Sequence, residues 1–211
     1  MNIHRRTRRL ILPGMLLALV CAALVLGGCS SHPSQLDWKL NSSIRGHLPD
    51  LKFQLTNDNG KTTTAEDFRG KVTIVFFGYT HCPDVCPLTM THLHMVMQKL
   101  GPLADDARIL FISVDPARDT PEVLHQYVKA FDKHAVGLTG SEDQIRRLAK
   151  RYRVAFNRGP SNGHGGYEVN HSSAIYIFDD KGHASLLATP VDTPDDMAHD
   201  VRQLITQEHA S

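Results

Sequence analysis

Two apolar runs flanking a helical stretch constrain this chain more than any other feature. Val72–Phe77 (VTIVFF) and Arg108–Val114 (RILFISV) are rich in β-branched and aromatic residues and lack the polar alternation of a half-exposed strand. Runs of this kind belong to strands buried on both faces. Between them Met90, Leu93, Met97 and Leu100 recur at helical spacing. Pro87 suits the first helical position, where its missing N–H breaks no hydrogen bond. Strand, helix and strand joined this economically imply a right-handed crossover between parallel neighbours.

The rest of the chain extends the same alternation. Thr120-Pro121 and Thr193-Pro194 each place a capping hydroxyl before a first-turn proline. Ser141 and Gln144 have capping-box spacing, with Ile145 and Leu148 following on one face. Ser173–Phe178 and His183–Ala188 flank Asp179-Asp180-Lys181-Gly182, which reads as an antiparallel hairpin, and a smaller hairpin is expected near Leu51–Thr64. The order β-α-β-α-α-β-β-α predicts an α/β fold: a thioredoxin-like three-layer sandwich with a mixed central sheet and flanking helices. No internal repeat, second domain or low-complexity block interrupts it.

The N-terminal segment reads as an export signal over residues 1–28. Arg5, Arg6, Arg8 and Arg9 form a basic start, and Leu10 to Val25 is apolar apart from Pro13-Gly14. Leu26-Gly27-Gly28-Cys29 resembles the lipobox of bacterial lipoproteins, which makes Cys29 the expected lipidated first residue of a periplasm-facing, membrane-anchored protein. An uncleaved transmembrane anchor is the alternative, since the run approaches the ~20 residues that span a bilayer. Residues 29–46, with Ser, His, Pro, Gln and Asn, read as a flexible tether, and 47–211 as the folded domain. Once the four signal arginines are gone, 19 basic residues face 22 acidic ones, a net charge of −3. Nucleic acid is not the partner of so mildly acidic a body.

Cysteine usage narrows the chemistry. The exported domain keeps only Cys82 and Cys86, too few for a disulfide framework and so close in sequence that a bridge between them removes little denatured-state entropy. The pair follows the Val72–Phe77 strand, at the carboxyl edge of the sheet where reactive groups collect in open α/β folds. With Pro87 at the first helical position Cys86 becomes the N-cap, and both thiols feel a helix start that favours the thiolate. In this fold Asp115–Thr120 emerges at the same edge, and so does His171, just before a strand antiparallel to the first two. Two sulfurs and one imidazole suit copper, whereas structural zinc sites nearly always close with four ligands.

Other candidates carry plainer readings. His92 and His94, two apart on a helix, do not share a face and read as solvated. His164 lies in Gly163-His164-Gly165-Gly166 and reads as a surface residue, and His81 is a minor alternative ligand beside Cys82. Met90 and Met97 belong to the apolar stripe and thus to the core. Arg118 and Asp119 could orient a partner or pair with each other.

Three blocks of the chain resemble the Sco/SenC family: Phe77-Gly78-Tyr79-Thr80-His81-Cys82-Pro83-Asp84-Val85-Cys86-Pro87, then Ser113-Val114-Asp115-Pro116-Ala117-Arg118-Asp119-Thr120-Pro121, then His171-Ser172-Ser173-Ala174. The resemblance implies copper, as Cu(I) and Cu(II), bound by Cys82, Cys86 and His171. It also implies copper donor proteins as partners, and delivery to, or thiol reduction of, the CuA centre in subunit II of cytochrome c oxidase. Asn170 departs from the family's frequent Asp before the histidine, which bears on the surroundings of the site and on copper retention but leaves the three ligands in place. The competing function is an enzyme, a thiol–disulfide oxidoreductase in which Cys82 and Cys86 form a redox-active disulfide that reduces partner cysteines in the periplasm. A peroxiredoxin-like peroxidase is weaker, because Tyr79 stands where that chemistry usually has threonine.

Overall fold

The structure, a computed structural model, describes residues 37–40, 42–161 and 166–208. The expected signal segment, Cys29, half of the tether and His164 lie outside the described residues. The elements run β1 (Gln54–Asn57), β2 (Thr62–Thr64), β3 (Val72–Gly78), α1 (Val85–Leu100), β4 (Ala107–Ser113), α2 (Pro121–Phe131) and β5 (Ala135–Thr139). Then come α3 (Glu142–Arg151), β6 (Phe156–Ser161), β7 (Tyr167–His171), β8 (Ile175–Phe178), β9 (Ala184–Ala188) and α4 (Pro194–Glu208).

Seven strands form one mixed sheet in the order β2-β1-β5-β4-β3-β8-β9. The strands β3, β4 and β5 are parallel, with Phe76 opposite Phe111 and Phe111 opposite Gly137. The pairs β3–β8, β8–β9 and β1–β5 are antiparallel. Every residue of β3 and of β8 is buried, so both sheet faces are covered, as the uninterrupted apolar runs require. Helix α1 packs beside α4, and α2 lies over β5, so close that a Cβ at Gly137 would stand 2.8 Å from Leu124 Cβ. This is the thioredoxin-like α/β arrangement that the order of elements indicates.

The helix starts hold the chain where their sequences place them. Thr120 Oγ1 accepts from the Val123 amide at 3.4 Å, and Thr193 Oγ1 accepts from the Asp196 amide at 3.2 Å. Ser141 and Gln144 cap reciprocally, Gln144 N–H donating to Ser141 Oγ and Ser141 N–H to Gln144 Oε1. Gly182, at φ +75°, closes the β8–β9 turn.

Three features depart from the sequence expectations. Strand β5 is inserted between α2 and α3, and through β5 the front hairpin β1–β2 joins the main sheet. The five residues AVGLT carry too short an apolar run to stand out between two well-capped helices. A second, two-stranded sheet, β6–β7, stands apart from the main ladder, so His171 ends a strand rather than preceding one, and β8 begins only at Ile175. Finally, the folded body begins before residue 47. Leu40 and Ile44 are buried, Ser43 bridges to Leu186, and the amides of Lys39 and Leu40 donate to Asp200 at 2.8–3.1 Å. Residues 38–40 and 42–46 therefore pack on the body instead of acting as slack chain.

Candidate metal centre

Three elements bring three donor atoms together. Cys82 lies in the turn after β3, Cys86 in the first turn of α1 and His171 at the end of β7. One ligand atom from each lies within 4.8 Å of the others, which makes this the one such grouping of His, Cys, Asp and Glu among the described residues. Both cysteines are free thiols. Cys86 Sγ is 3.3 Å from His171 Nε2, and the Cys86 amide donates to Cys82 Sγ at 3.4 Å.

Helix α1 starts at Val85 with Asp84 as its N-cap, two residues earlier than Pro87 suggests. The first N–H groups of any helix lack an intrahelical acceptor, so proline fits any of the first positions and does not fix the boundary. Cys86 is consequently inside the helix and fully buried, while Cys82 is half-buried. Burial pushes the Cys86 thiol well up, and the nearby Cys82 and Asp119 oppose its charge further; the Tyr79 amide pulls the other way and is outweighed. The expected thiolate at the helix start therefore fails for Cys86, because desolvation exceeds the pull of the helix terminus. A bound cation reverses that balance, since a coordinating thiol loses its proton outright.

The ring of His171 is held in one orientation. Its Nδ1 is 2.9 Å from the Ser172 carbonyl oxygen, which can only accept, so Nδ1 carries the proton and the Nε2 lone pair faces the sulfurs. Phe76 and Tyr79 meet the ring edge-on at 5.9 and 5.8 Å. Burial holds the imidazole pKa below its usual 6.5, only partly offset by the Ser172 carbonyl. The neutral ring is the form that binds metal. A groove of about 400 Å³, lined by Tyr79, Cys82, Val85, Leu88, His92 and His171 among others, opens onto the site.

The remaining sequence candidates fall outside the set. His81 is exposed and bonds to Thr80 Oγ1 at 3.1 Å. His92 lines the groove. His94 is not simply solvated: its Nδ1 bonds Asp132 Oδ2 at 2.8 Å. Met90 and Met97 are buried in the core. Arg118 and Asp119 do not pair. Arg118 bonds to Asp115, and the fully buried Asp119 accepts from Thr80 N–H (3.1 Å), Thr80 O–H (2.6 Å) and Ser113 O–H (2.6 Å). Sequence reasoning passed over Asp119 as the tie between the first two motif blocks, over Gly78 beside the buried sulfur and over the aromatic wall of Tyr79. Their signal was present, since all three lie inside blocks whose cysteines and loop charges drew the attention.

Comparison with known proteins bears on this geometry. The SCO1/SenC family model matches residues 44–206. The mitochondrial SCO2 homolog of Bos taurus is 39% identical over 132 residues, which is 62% of this chain and 50% of that protein. The chain spans about half the length of the curated relatives it matches first. Among solved structures, Bradyrhizobium japonicum ScoI with copper bound has a TM-score of 0.68 at 39% identity, over 74% of this chain and 98% of that one. BsSco, described as a member of the Sco family of cytochrome c oxidase assembly proteins and as having a disulfide switch, has a TM-score of 0.63 at 27% identity, over 79% and 98%.

Proposed function

The chain belongs to the SCO1/SenC family, and from that premise we propose that it carries copper on Cys82, Cys86 and His171 and serves cytochrome c oxidase assembly. The recipient is the CuA centre in subunit II. The observation that carries this reading is the convergence of two thiols and a neutral imidazole within 4.8 Å. Two sulfurs and one nitrogen are a soft set that fits Cu(I), and the imidazole adds the nitrogen that Cu(II) prefers. The similarity to ScoI, whose structure has copper bound, supports copper as the metal. The groove beside Cys82 gives a partner room to approach.

A second reading rests on the same two sulfurs, whose proximity permits a disulfide. In that role the reduced pair gives two electrons to a partner disulfide. Cys82, the more accessible thiol, forms the mixed disulfide, and Cys86 displaces the partner's thiol to close the Cys82–Cys86 bridge. We assign the domain to a periplasm-facing body anchored by lipid on Cys29, on the strength of the Leu26–Cys29 motif. No helix among the described residues is long and apolar enough to cross a membrane.

Anaerobic Cu(I) titration of the reduced protein, run beside His171→Ala and paired with a disulfide reductase assay, tests the assignment. Wild type should bind one copper. The variant should keep the disulfide chemistry but show weakened binding and an altered Cu(II) spectrum. Wild-type affinity and spectra in the variant would remove His171 from the ligand set and favour the reductase.

A further inference from the structure

The histidine and the cysteines belong to different sheets. Cys82 and Cys86 hang from the end of β3 in the seven-stranded sheet, whereas His171 ends the separate β6–β7 hairpin. Among the described residues no ladder hydrogen bond joins the two sheets; the chain ties His171 to β8 through Ser172–Ala174, and side chains hold the rest of the hairpin against the main sheet. The contacts that do so converge on the loop after β4, in the block Asp115-Pro116-Ala117-Arg118.

Asp115 is buried at 1% exposure, and its loop is closed by the Arg118 and Asp119 amides donating to its carbonyl at 3.1 and 3.0 Å. Its Oδ1 accepts from the Tyr167 hydroxyl at 2.7 Å, and its Oδ2 from Arg118 Nε. The Arg118 guanidinium stacks 3.7 Å from the Tyr167 ring centroid and 5.8 Å from that of Tyr79. Arg158, on β6, lies 4.4 Å from the Tyr167 centroid and 3.8 Å from Asp115 Oδ1. Tyr167 opens the strand that His171 closes, and Tyr79 walls the imidazole. Arg118 Nη2 is buried with no hydrogen-bond partner among the described residues.

We propose that Asp115, Arg118 and Tyr167 form a clamp that fixes the β6–β7 hairpin on the β4–α2 loop and so positions His171 against Cys82 and Cys86. They are positioning residues, and the consequence for copper rests on His171 being a ligand. Removing one partner of so buried a pair leaves the other charge uncompensated, which is costly, and the stacking on the ring adds its own attraction. Groups that orient a ligating histidine typically change metal affinity by about 10–100-fold when lost. Cu(II), which needs the imidazole more than Cu(I) does, should register the loss most.

The test uses Tyr167→Phe, which keeps the ring and deletes only the hydroxyl, beside Arg118→Gln. In the reduced, metal-free protein, hydrogen exchange followed by mass spectrometry should show faster exchange across residues 156–171 and unchanged protection of β3, β4 and β8. Cu(II) affinity should fall by roughly tenfold or more, and the same substitutions in a His171→Ala background should cause no further fall. Unchanged hairpin exchange in Tyr167→Phe overturns the clamp, whether or not Arg118→Gln folds. Equal losses of affinity in both backgrounds also overturn it, because the effect then does not pass through His171. If His171→Ala alone leaves copper binding at the wild-type level, the assignment of His171 as a ligand fails, and the exchange result still decides the clamp.

Discussion

Replacing Gly78 with alanine adds one methyl group directly against the buried cysteine. A Cβ at this position would meet Phe111 Cε2 at 2.9 Å, Cys86 Sγ at 3.0 Å and Phe76 Cε1 at 3.0 Å. Both rings are fully buried, so neither can swing into solvent, and the backbone at Gly78 is not left-handed, so the effect is steric alone. Restoring ordinary contact of about 3.5 Å requires the sulfur or a ring to retreat by roughly half an ångström. Metal–ligand distances tolerate about ±0.2 Å. The substitution should therefore damage copper binding out of proportion to stability. Overpacking of this kind costs about 1–3 kcal/mol, which lowers Tm by roughly 2–4 °C per kcal/mol for a domain of this size. The variant should still fold, while Cu(I) affinity, measured by competition with a chromophoric chelator under anaerobic conditions, falls by about tenfold or more. A variant that loses stability but retains wild-type copper affinity would show that the rings, not Cys86, give way, and would refute the claim that Gly78 makes the seat for this sulfur.

Oxidation of the reduced protein should form the Cys82–Cys86 disulfide and abolish copper binding, with full recovery on reduction; binding by the oxidised form, seen in the same titration, would separate the redox pair from the ligand set. Asp119→Ala strips the acceptor from the buried Ser113 hydroxyl and from the half-buried Thr80 hydroxyl and amide, a loss of about 1–3 kcal/mol for each donor left buried without a partner. Chemical denaturation should show it among the most destabilising single changes near the site. The carboxyl of Asp132 is driven up by burial, but the His134 amide and the rings of His94 and His134 outweigh this and hold its pKa below the usual 3.8. A depressed carboxylate contributes stability above its unfolded pKa and loses it as pH falls through the folded value. Asp132→Asn should therefore lower Tm at neutral pH, and its difference from wild type should close below about pH 4. A gap independent of pH would assign the loss to shape rather than charge.

Those parts of the molecule that follow from local rules were legible in the chain. Val72–Phe77 and Arg108–Val114 announce doubly buried strands because nothing polar interrupts them, and Thr120, Ser141 and Thr193 announce helices because capping is a matter of neighbours in sequence. What could not be read depends on partners distant in the chain. Strand β5 is short and is defined by lying between β4 and β1, not by its own composition. The β6–β7 hairpin contains Gly159, Pro160 and alternating polar residues, and its place is set by Tyr167 and Arg118, 49 positions apart in sequence. The acidity of Cys86 was misjudged for the same reason. A helix start is visible in sequence, whereas the full burial of the sulfur is not, and burial outweighs the helix.

The three donors are held with very different firmness, and the proposed role follows from the difference. Cys86 is locked in the first turn of α1 with no exposed surface, among Gly78, Phe76 and Phe111. Cys82 sits in a turn beside the open groove, and His171 ends a hairpin that stands apart from the main sheet. On the proposed ligand set, taking copper away does not require all three residues to release at once. A partner with soft donors can enter beside Val85 and Leu88, the exposed apolar residues of the groove wall, and compete first for the positions of Cys82 and His171. Cys86, inaccessible to the partner and reluctant to stay ionised without a cation beside it, regains its proton as the metal leaves. The same burial that disfavours the free thiolate favours the protonated Cys86 once the metal has gone, and the neutral imidazole and reduced thiols are the forms that a further copper would meet.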